Sequence, residues 1–187
     1  MTFCLVRAAT AALVALASLP ASAATVELRP DGDYVWVGNF VNVDVIARPD
    51  PGERIASYGM AVIWQPAWLS FGSATFDQFL GGPVNASQVF ATGISSIIAS
   101  ETALAGTGAQ AGQAEFRLFR FSLLVTGIGF SPLEIGSAQL FDADGAPLPV
   151  TILNSSLTTV PGPASGVLLA SALCAIAARV RRWSVTA

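Results

Sequence analysis

Residues 40–47 read Phe-Val-Asn-Val-Asp-Val-Ile-Ala, and this stretch decides the fold. Apolar and polar residues alternate strictly along it. One face carries Val41, Val43, Val45 and Ala47, and the other carries Asn42 and Asp44. A period of two is the pattern of a β-strand with one buried face. The stretch therefore predicts a strand whose valine side covers a hydrophobic core.

The same pattern recurs on the C-terminal side of this strand. Residues 55–64 form a long predicted strand, with Tyr58, Met60, Val62 and Trp64 on its apolar face. Residues 115–125 form another, with Phe119, Phe121, Leu123 and Val125 on one face and Phe116, Leu118 and Leu124 on the other. Shorter strands are predicted at 25–28, 34–37, 70–76, 93–99, 137–141, 148–152 and 156–159, and residues 102–113 are predicted to be a loop.

Turn-forming residues separate these strands at 29–33, at 50–52 and at 142–145. Short strands with turns every 8–12 residues or so are typical of sandwiches and jelly rolls. The predicted fold class is therefore all-β, an antiparallel β-sandwich or jelly roll over residues 24–159. An N-terminal signal helix and a C-terminal transmembrane helix flank it.

The N-terminal segment, residues 1–23, has the organisation of a signal peptide. Arg7 is followed by an apolar run to Leu19, a break at Pro20, and the small-residue motif Ala21-Ser22-Ala23. This order predicts export and cleavage after Ala23. The alternatives are an uncleaved anchor or a buried helix.

Charge and composition exclude several function classes. The middle of the chain holds all 12 acidic residues but only five of the nine arginines, so its formal net charge is −7, and lysine and histidine are absent. An acidic domain of this kind repels phosphate backbones, so no nucleic-acid partner is expected. The two cysteines, Cys4 and Cys174, lie in the terminal segments, so a disulfide within the domain is excluded.

No catalytic constellation stands out, and neither an enzyme activity nor a cofactor is predicted. Without histidine, Ser-His-Asp and Cys-His arrangements are impossible. Asp142 and Asp144 are weak calcium candidates, since Ca²⁺ needs about six to eight oxygens. A carboxylate-dependent carbohydrate-active enzyme stays open as an alternative. A sugar-binding platform made of Trp36, Trp64 and Trp68 is a further alternative to their placement in the core.

The middle of the chain resembles a cohesin domain. The run from Val41 to Ala47, the strand at 55–64 and the corner Pro66-Ala67-Trp68-Leu69-Ser70-Phe71 resemble its first half. Residues 118–127 and 138–145 resemble its second half. The resemblance implies a β-sandwich that pairs with a dockerin-like protein through a sheet face. More generally, the domain is expected to bind a protein or a polysaccharide through a sheet face or loops.

The C-terminal tail, residues 160–183, combines a Pro/Gly break, an apolar segment and arginines. The break is Val160-Pro161-Gly162-Pro163, and residues 164–178 then carry no charge. At 1.5 Å per residue these span about 22 Å, short of a bilayer core of about 30 Å. Inclusion of residues 160–163 and a snorkelling Arg179 nearly closes this gap. A transmembrane helix is therefore predicted over 164–180, and Arg179, Arg181 and Arg182 predict a cytoplasmic end.

This tripartite tail resembles the PEP-CTERM sorting signal, with Gly162 where the signal usually has glutamate. The resemblance implies processing near Pro161–Pro163 by an exosortase-type enzyme, in Gram-negative bacteria that make extracellular polysaccharide. The expected route is an inner-membrane-anchored precursor with an outward domain, followed by delivery to the cell surface or the extracellular space. The alternatives are a plain membrane-anchored carbohydrate-binding protein, a GPI signal, or a core helix of the domain.

Overall fold

Twelve strands and one helical turn make up the part of the chain that the computed structural model describes, residues 23–104, 110 and 113–162. The first six strands are β1 (Ala24–Pro30), β2 (Tyr34–Trp36), β3 (Phe40–Arg48), β4 (Ser57–Ile63), β5 (Leu69–Phe76) and β6 (Ala86–Thr92). The other six are β7 (Ser96–Ala103), β8 (Phe116–Val125), β9 (Gly129–Phe141), β10 (Pro147–Leu148), β11 (Val150–Leu153) and β12 (Ser155–Val160). The helical turn α1 covers Gly82–Asn85 and precedes β6.

The strands form two sheets packed face to face. The five-stranded sheet has the order β11-β1-β3-β8-β5. The seven-stranded sheet has the order β2-β12-β9-β4-β7-β6, and β10 pairs with β9 beside this path. Most pairs are antiparallel, but β1 pairs with β11 and β2 with β12 in parallel. The sandwich is thus not the wholly antiparallel one that had been predicted. The prediction missed the parallel pairs because alternation along one strand carries no information about the direction of a distant neighbour.

The core between the sheets is built from the predicted apolar faces. Val41, Val43 and Val45 of β3 are fully buried, and so are the inward residues of the strand predicted at 55–64 (Tyr58, Met60, Val62 and Trp64). Phe119 lies at the centre, with its ring centroid 6.1 Å from Tyr58 and 6.1 Å from Phe121. Because Tyr58 belongs to one sheet and the two phenylalanines to the other, these rings join the sheets.

The prediction for β8 needs correction. Phe116 and Leu118 do not face away from Phe119; all three are buried in the core. The register against β3 shifts between Val45 and Ile46, where Val45 pairs with Phe119 and Ile46 with Arg117. This bulge re-aims the side chains on one side of it, so strict alternation fails at this point.

Several strands extend beyond their predicted bounds, and β7 runs to Ala103, inside the predicted loop 102–113. The largest departures are β6 and β9. Residues 86–92 form β6, which lies at the edge of its sheet and consists mainly of small and polar residues. β9 was predicted only at 137–141, but it begins at Gly129 and continues through Pro132, although proline is disfavoured within sheets. Pro132 is exposed and pairs with Ser156 of β12. Pairing with neighbouring strands thus overrides weak strand propensity in both places.

The terminal segments lie outside the described residues, and with them both predicted helices. This includes residues 1–22 and residues 163–187. Within the described ranges, no helix has the length and apolar character needed to cross a bilayer.

Candidate functional site

The outer side of β4, β6 and β7 is a continuous sheet surface without a charged side chain. We call it the uncharged face, and Glu134 of the neighbouring strand β9, which pairs with Ile63, lies at its edge. Its residues are Ser57, Gly59, Ala61, Ile63, Ser87, Val89, Ala91, Ser96, Ile98, Ser100 and Thr102. Cross-strand register places them in rows, because Ile98 lies between Ala61 and Ala91, and Ser100 lies between Gly59 and Val89. Ile98 therefore stands between two smaller neighbours on this surface.

The uncharged face is open to the outside. Ile63, Val89 and Ile98 expose 41%, 56% and 53% of their surface. A Cβ added at Gly59 would meet no atom within 4 Å, so the backbone of β4 is directly accessible there. Small residues around exposed aliphatic ones make a surface on which a partner has no charged group to desolvate.

The outer side of the five-stranded sheet is ionic. We call it the ion-pair face, and it holds two clusters. In one, Arg29 and Arg48 both contact Glu27 and Glu115, with N–O distances of 2.7–3.3 Å. In the other, Arg117 contacts Asp44 and Asp77 at 3.3 and 2.8 Å, and Arg120 contacts Asp44. Charges on this face are therefore bound to one another rather than presented singly.

Hydrogen bonds set the protonation of these groups. Arg120 donates from Nε and Nη2 to the two oxygens of Asp44 at 2.6 and 2.7 Å, and this bidentate pair lowers the pKa of Asp44. Hydrogen bonds from Arg29 and Arg48 lower the pKa of Glu115 to about 2. Both carboxylates thus stay ionised at neutral pH, in keeping with a structural role.

One carboxyl group lies inside the sandwich. Glu101 of β7 points inward, is 1% exposed, and accepts a hydrogen bond from Gln88 Nε2 at 2.7 Å. Its Oε2 has no hydrogen-bond partner among the described residues. Burial raises the pKa of Glu101, and the hydrogen bond from Gln88 partly offsets this.

The Asp142 and Asp144 side chains lie in the β9–β10 turn. Asp142 Oδ1 accepts hydrogen bonds from the backbone N–H groups of Asp144 and Ala146, at 3.0 and 2.8 Å. Gly145 completes the turn with φ of 78°. Across the described ranges, no group of three or more potential metal-ligating His, Cys, Asp or Glu side chains comes together. The arrangement is that of an Asx turn.

The three tryptophans do not form a common platform. Trp64 is buried in the core, with its ring 6.2 Å from Phe121. Trp68 packs over Gly129, where a Cβ would lie 2.5 Å from the indole, so only glycine fits beneath the ring. Trp36 alone is largely exposed, at 48%.

The predicted sorting residues lie partly inside the described region. Val160 is the last residue of β12, and its carbonyl accepts a hydrogen bond from Val37 N–H at 3.0 Å. Pro161 and Gly162 follow without regular structure. Ala23 directly precedes β1. Ala21, Pro163, Arg179, Arg181 and Arg182 lie outside the described residues, so processing and membrane insertion remain predictions.

The uncharged face was not predicted as a surface. Its residues on β4 alternate with predicted core residues, but β6 was not predicted as a strand. Only the pairing of β6, β7 and β4 brings them together. A sequence signal did exist, because no charged residue occurs between Asp77 and Glu101 or between Arg54 and Asp77.

Solved cohesin structures share this fold. A cohesin module from a Clostridium perfringens family 33 glycoside hydrolase matches with a TM-score of 0.60 and 11% identity, over 75% of this chain and 99% of that one. A non-cellulosomal cohesin from Archaeoglobus fulgidus matches with a TM-score of 0.59 and 14% identity, over 78% and 96%. The cohesin of a type I cohesin–dockerin complex from Clostridium thermocellum matches with a TM-score of 0.60 and 15% identity, over 73% and 99%.

At these identities the likeness establishes the fold alone. The described part of the chain is a cohesin-like β-sandwich, as the sequence resemblance implied. No protein-family model matches the chain, and no curated protein matches it significantly.

Proposed function

We propose that this chain is an exported, non-enzymatic surface or extracellular-matrix protein whose sandwich binds a protein partner through the uncharged face. The observation that carries the proposal is the contrast between the two outer faces. All the ion pairs among the described residues lie on the ion-pair face, while the uncharged face exposes Ile63, Val89 and Ile98. The central part of a protein–protein interface is typically apolar and depleted of charged residues.

The expected partner is a dockerin-like module. Support comes from the fold, since the Clostridium thermocellum neighbour is half of a cohesin–dockerin complex. A polysaccharide partner fits the uncharged face less well. Sugar rings stack on aromatic side chains, and the residues that form this face include none.

Delivery to the surface rests on the two terminal segments. The signal peptide would export the sandwich, and residues 164–180 would hold it in the inner membrane with Arg181 and Arg182 inside. An exosortase-type enzyme would then act near Pro161–Pro163. This site is supported by the end of β12 at Val160 and by the lack of regular structure at Pro161 and Gly162.

Site-specific cross-linking in the native host tests the binding site. A photo-reactive residue at position 98 should capture a discrete protein with a dockerin-like module, identified by mass spectrometry. The matched control places the same residue at Thr75, an exposed position on β5 of the ion-pair face. The same adduct from both positions, or from position 75 alone, would refute the assignment.

Two observations test the delivery. Deletion of residues 160–187 should move the protein from the cell-surface fraction to the periplasm or medium, and identical fractionation would refute sorting by the tail. The C-terminus of surface material should end near Pro161–Pro163. If Arg181 and Arg182 are still attached, the protein is a plain membrane anchor.

A further inference from the structure

One end of the sandwich exposes a cluster of large apolar side chains. We call it the aromatic end. Its members are Tyr34, Trp36, Phe40, Ile128 and Phe130, and they expose 75%, 48%, 58%, 54% and 60% of their surfaces. Exposed aromatic residues at this density mark a contact surface, since single exposed apolar residues are ordinary but clusters are not.

Strand register brings these side chains together. Tyr34 and Phe130 both pair with Thr158, from opposite sides of β12, so they lie on one face about 10 Å apart. Trp36 pairs with Val160, one step nearer the end of the sheet. A turn closed by a 3.0 Å bond from Asn39 N–H to the Trp36 carbonyl then carries the chain across the sandwich.

Phe40 lies on the outer side of the five-stranded sheet, whereas Tyr34, Trp36 and Phe130 lie on the outer side of the seven-stranded sheet, so these side chains surround the end of the sandwich. Phe40 is the first residue of β3 and covers Gly72, where a Cβ would lie 2.8 Å from the phenylalanine ring. Ile128 lies in the connection between β8 and β9. The aromatic end therefore includes residues from the rims of both sheets.

The aromatic end is also uncharged. The segments that build it are residues 34–43, 64–76, 121–133 and 155–162, and none of them contains an Asp, Glu or Arg. The ion-pair clusters involve Glu27, Arg48, Glu115 and Arg117, which belong to other segments. Charged residues begin directly beyond these segments, with Asp33 beside Tyr34 and Glu134 beside Leu133. Tyrosine and tryptophan are the side chains that favour the headgroup region of a bilayer.

The chain leaves the sandwich at this same end. The 3.0 Å bond from Val37 N–H to the Val160 carbonyl holds the last strand residue beside Trp36. Three residues, 161–163, separate Val160 from the uncharged segment 164–178. An extended chain covers at most about 3.6 Å per residue, so an inserted segment would hold Trp36 within about 10 Å of the membrane.

We propose that the aromatic end rests on the lipid bilayer while the tail is inserted. This proposal rests on the insertion of the tail into the membrane, which is part of the proposed function. The aromatic end lies at strand ends, so the strands stand upright on the membrane. The uncharged face then points sideways, where a partner reaches it without displacing lipid. If the aromatic end instead bound a second copy of the chain, the position of the tail beside it would have no explanation.

Fluorescence quenching of the full chain in phosphatidylcholine vesicles tests the contact. Trp183 of the tail is first replaced (Trp183→Phe), and brominated lipids are compared with unbrominated ones. Emission that depends on Trp36, defined by the additional Trp36→Phe variant, should fall by about half, as for a ring at the interface.

Two reporters in the Trp36→Phe, Trp183→Phe background keep the test independent of the Trp36 ring. Tyr34→Trp, at an exposed site of the aromatic end, should be quenched by brominated lipids. Ile98→Trp, on the uncharged face, should not. Equal quenching of both, or of neither, would overturn the proposal.

Flotation of the vesicles separates the two claims. A chain that does not float with lipid overturns both membrane insertion and the contact. A chain that floats while Trp36 and Tyr34→Trp show no quenching overturns the contact alone. Soluble polysaccharide that shifts Trp36 emission, with no effect of brominated lipid, would assign the aromatic end to sugar binding instead.

Discussion

The two outer faces of this sandwich cover the same core but are built from different chemistry. On the ion-pair face, four arginines and four carboxylates form two closed clusters. On the uncharged face, serines, glycine and alanines surround Ile63, Val89 and Ile98. Partly exposed ion pairs add little stability, but they keep one face hydrated. This difference is the observation on which the proposed binding through one side of the domain rests.

Loss of the shared core should affect both faces together, with the largest effect on stability. Phe119 is fully buried and touches aromatic rings from both sheets. Phe119→Ala should lower the free energy of unfolding by about 3–5 kcal/mol. Urea denaturation followed by tryptophan fluorescence measures this, and a loss below about 1 kcal/mol would contradict the central place of Phe119.

The buried Glu101 should make the core sensitive to rising pH. Burial raises its pKa in the folded state, so the folded protein holds this proton more tightly than the unfolded chain does. The free energy of unfolding therefore falls as pH rises from the ordinary carboxyl pKa through the raised value. Glu101→Gln should remove this fall and add about 1 kcal/mol at neutral pH. The exposed Glu134→Gln is the control, and identical pH profiles for both variants would refute the prediction.

The ion-pair face should respond to pH with the opposite sign. The pKa of Asp44 and that of Glu115, about 2, are lowered by their arginines. Their contribution is complete above the ordinary carboxyl pKa and is lost as pH falls toward the lowered values. Stability measured by thermal unfolding should fall as the pH is lowered from about 5 to about 2.5, and this fall should be smaller at high salt. A profile unaffected by salt would contradict this origin.

Removal of a single arginine should have the smallest effect. Arg120→Ala breaks the bidentate contact to Asp44 while Arg117 stays in place, and we expect a loss of about 0.5–1 kcal/mol. Arg54→Ala, outside both clusters, is the matched control in chemical denaturation. Losses above about 2 kcal/mol would show that the cluster is more than a hydrated cover.

The sequence was sufficient for the core strands and insufficient for the surfaces. Val41, Val43 and Val45 predicted β3 correctly, because a buried face imposes a period of two on the sequence of a strand. β6 was missed because an edge strand needs few β-formers once its neighbour pairs with it. Arg29 and Glu115 stand 86 positions apart, and no local pattern links them. The uncharged face arises in the same way, from pairing between strands.

The most direct test of the central claim is calorimetric titration of the captured partner into three forms of this protein. Ile98→Asp places a charge at the centre of the uncharged face, and affinity should fall at least ~30-fold, as for a hot spot worth about 2 kcal/mol. Thr75→Asp, on the ion-pair face, should bind like the unmodified protein. Loss of binding in Thr75→Asp with full affinity in Ile98→Asp would contradict the account.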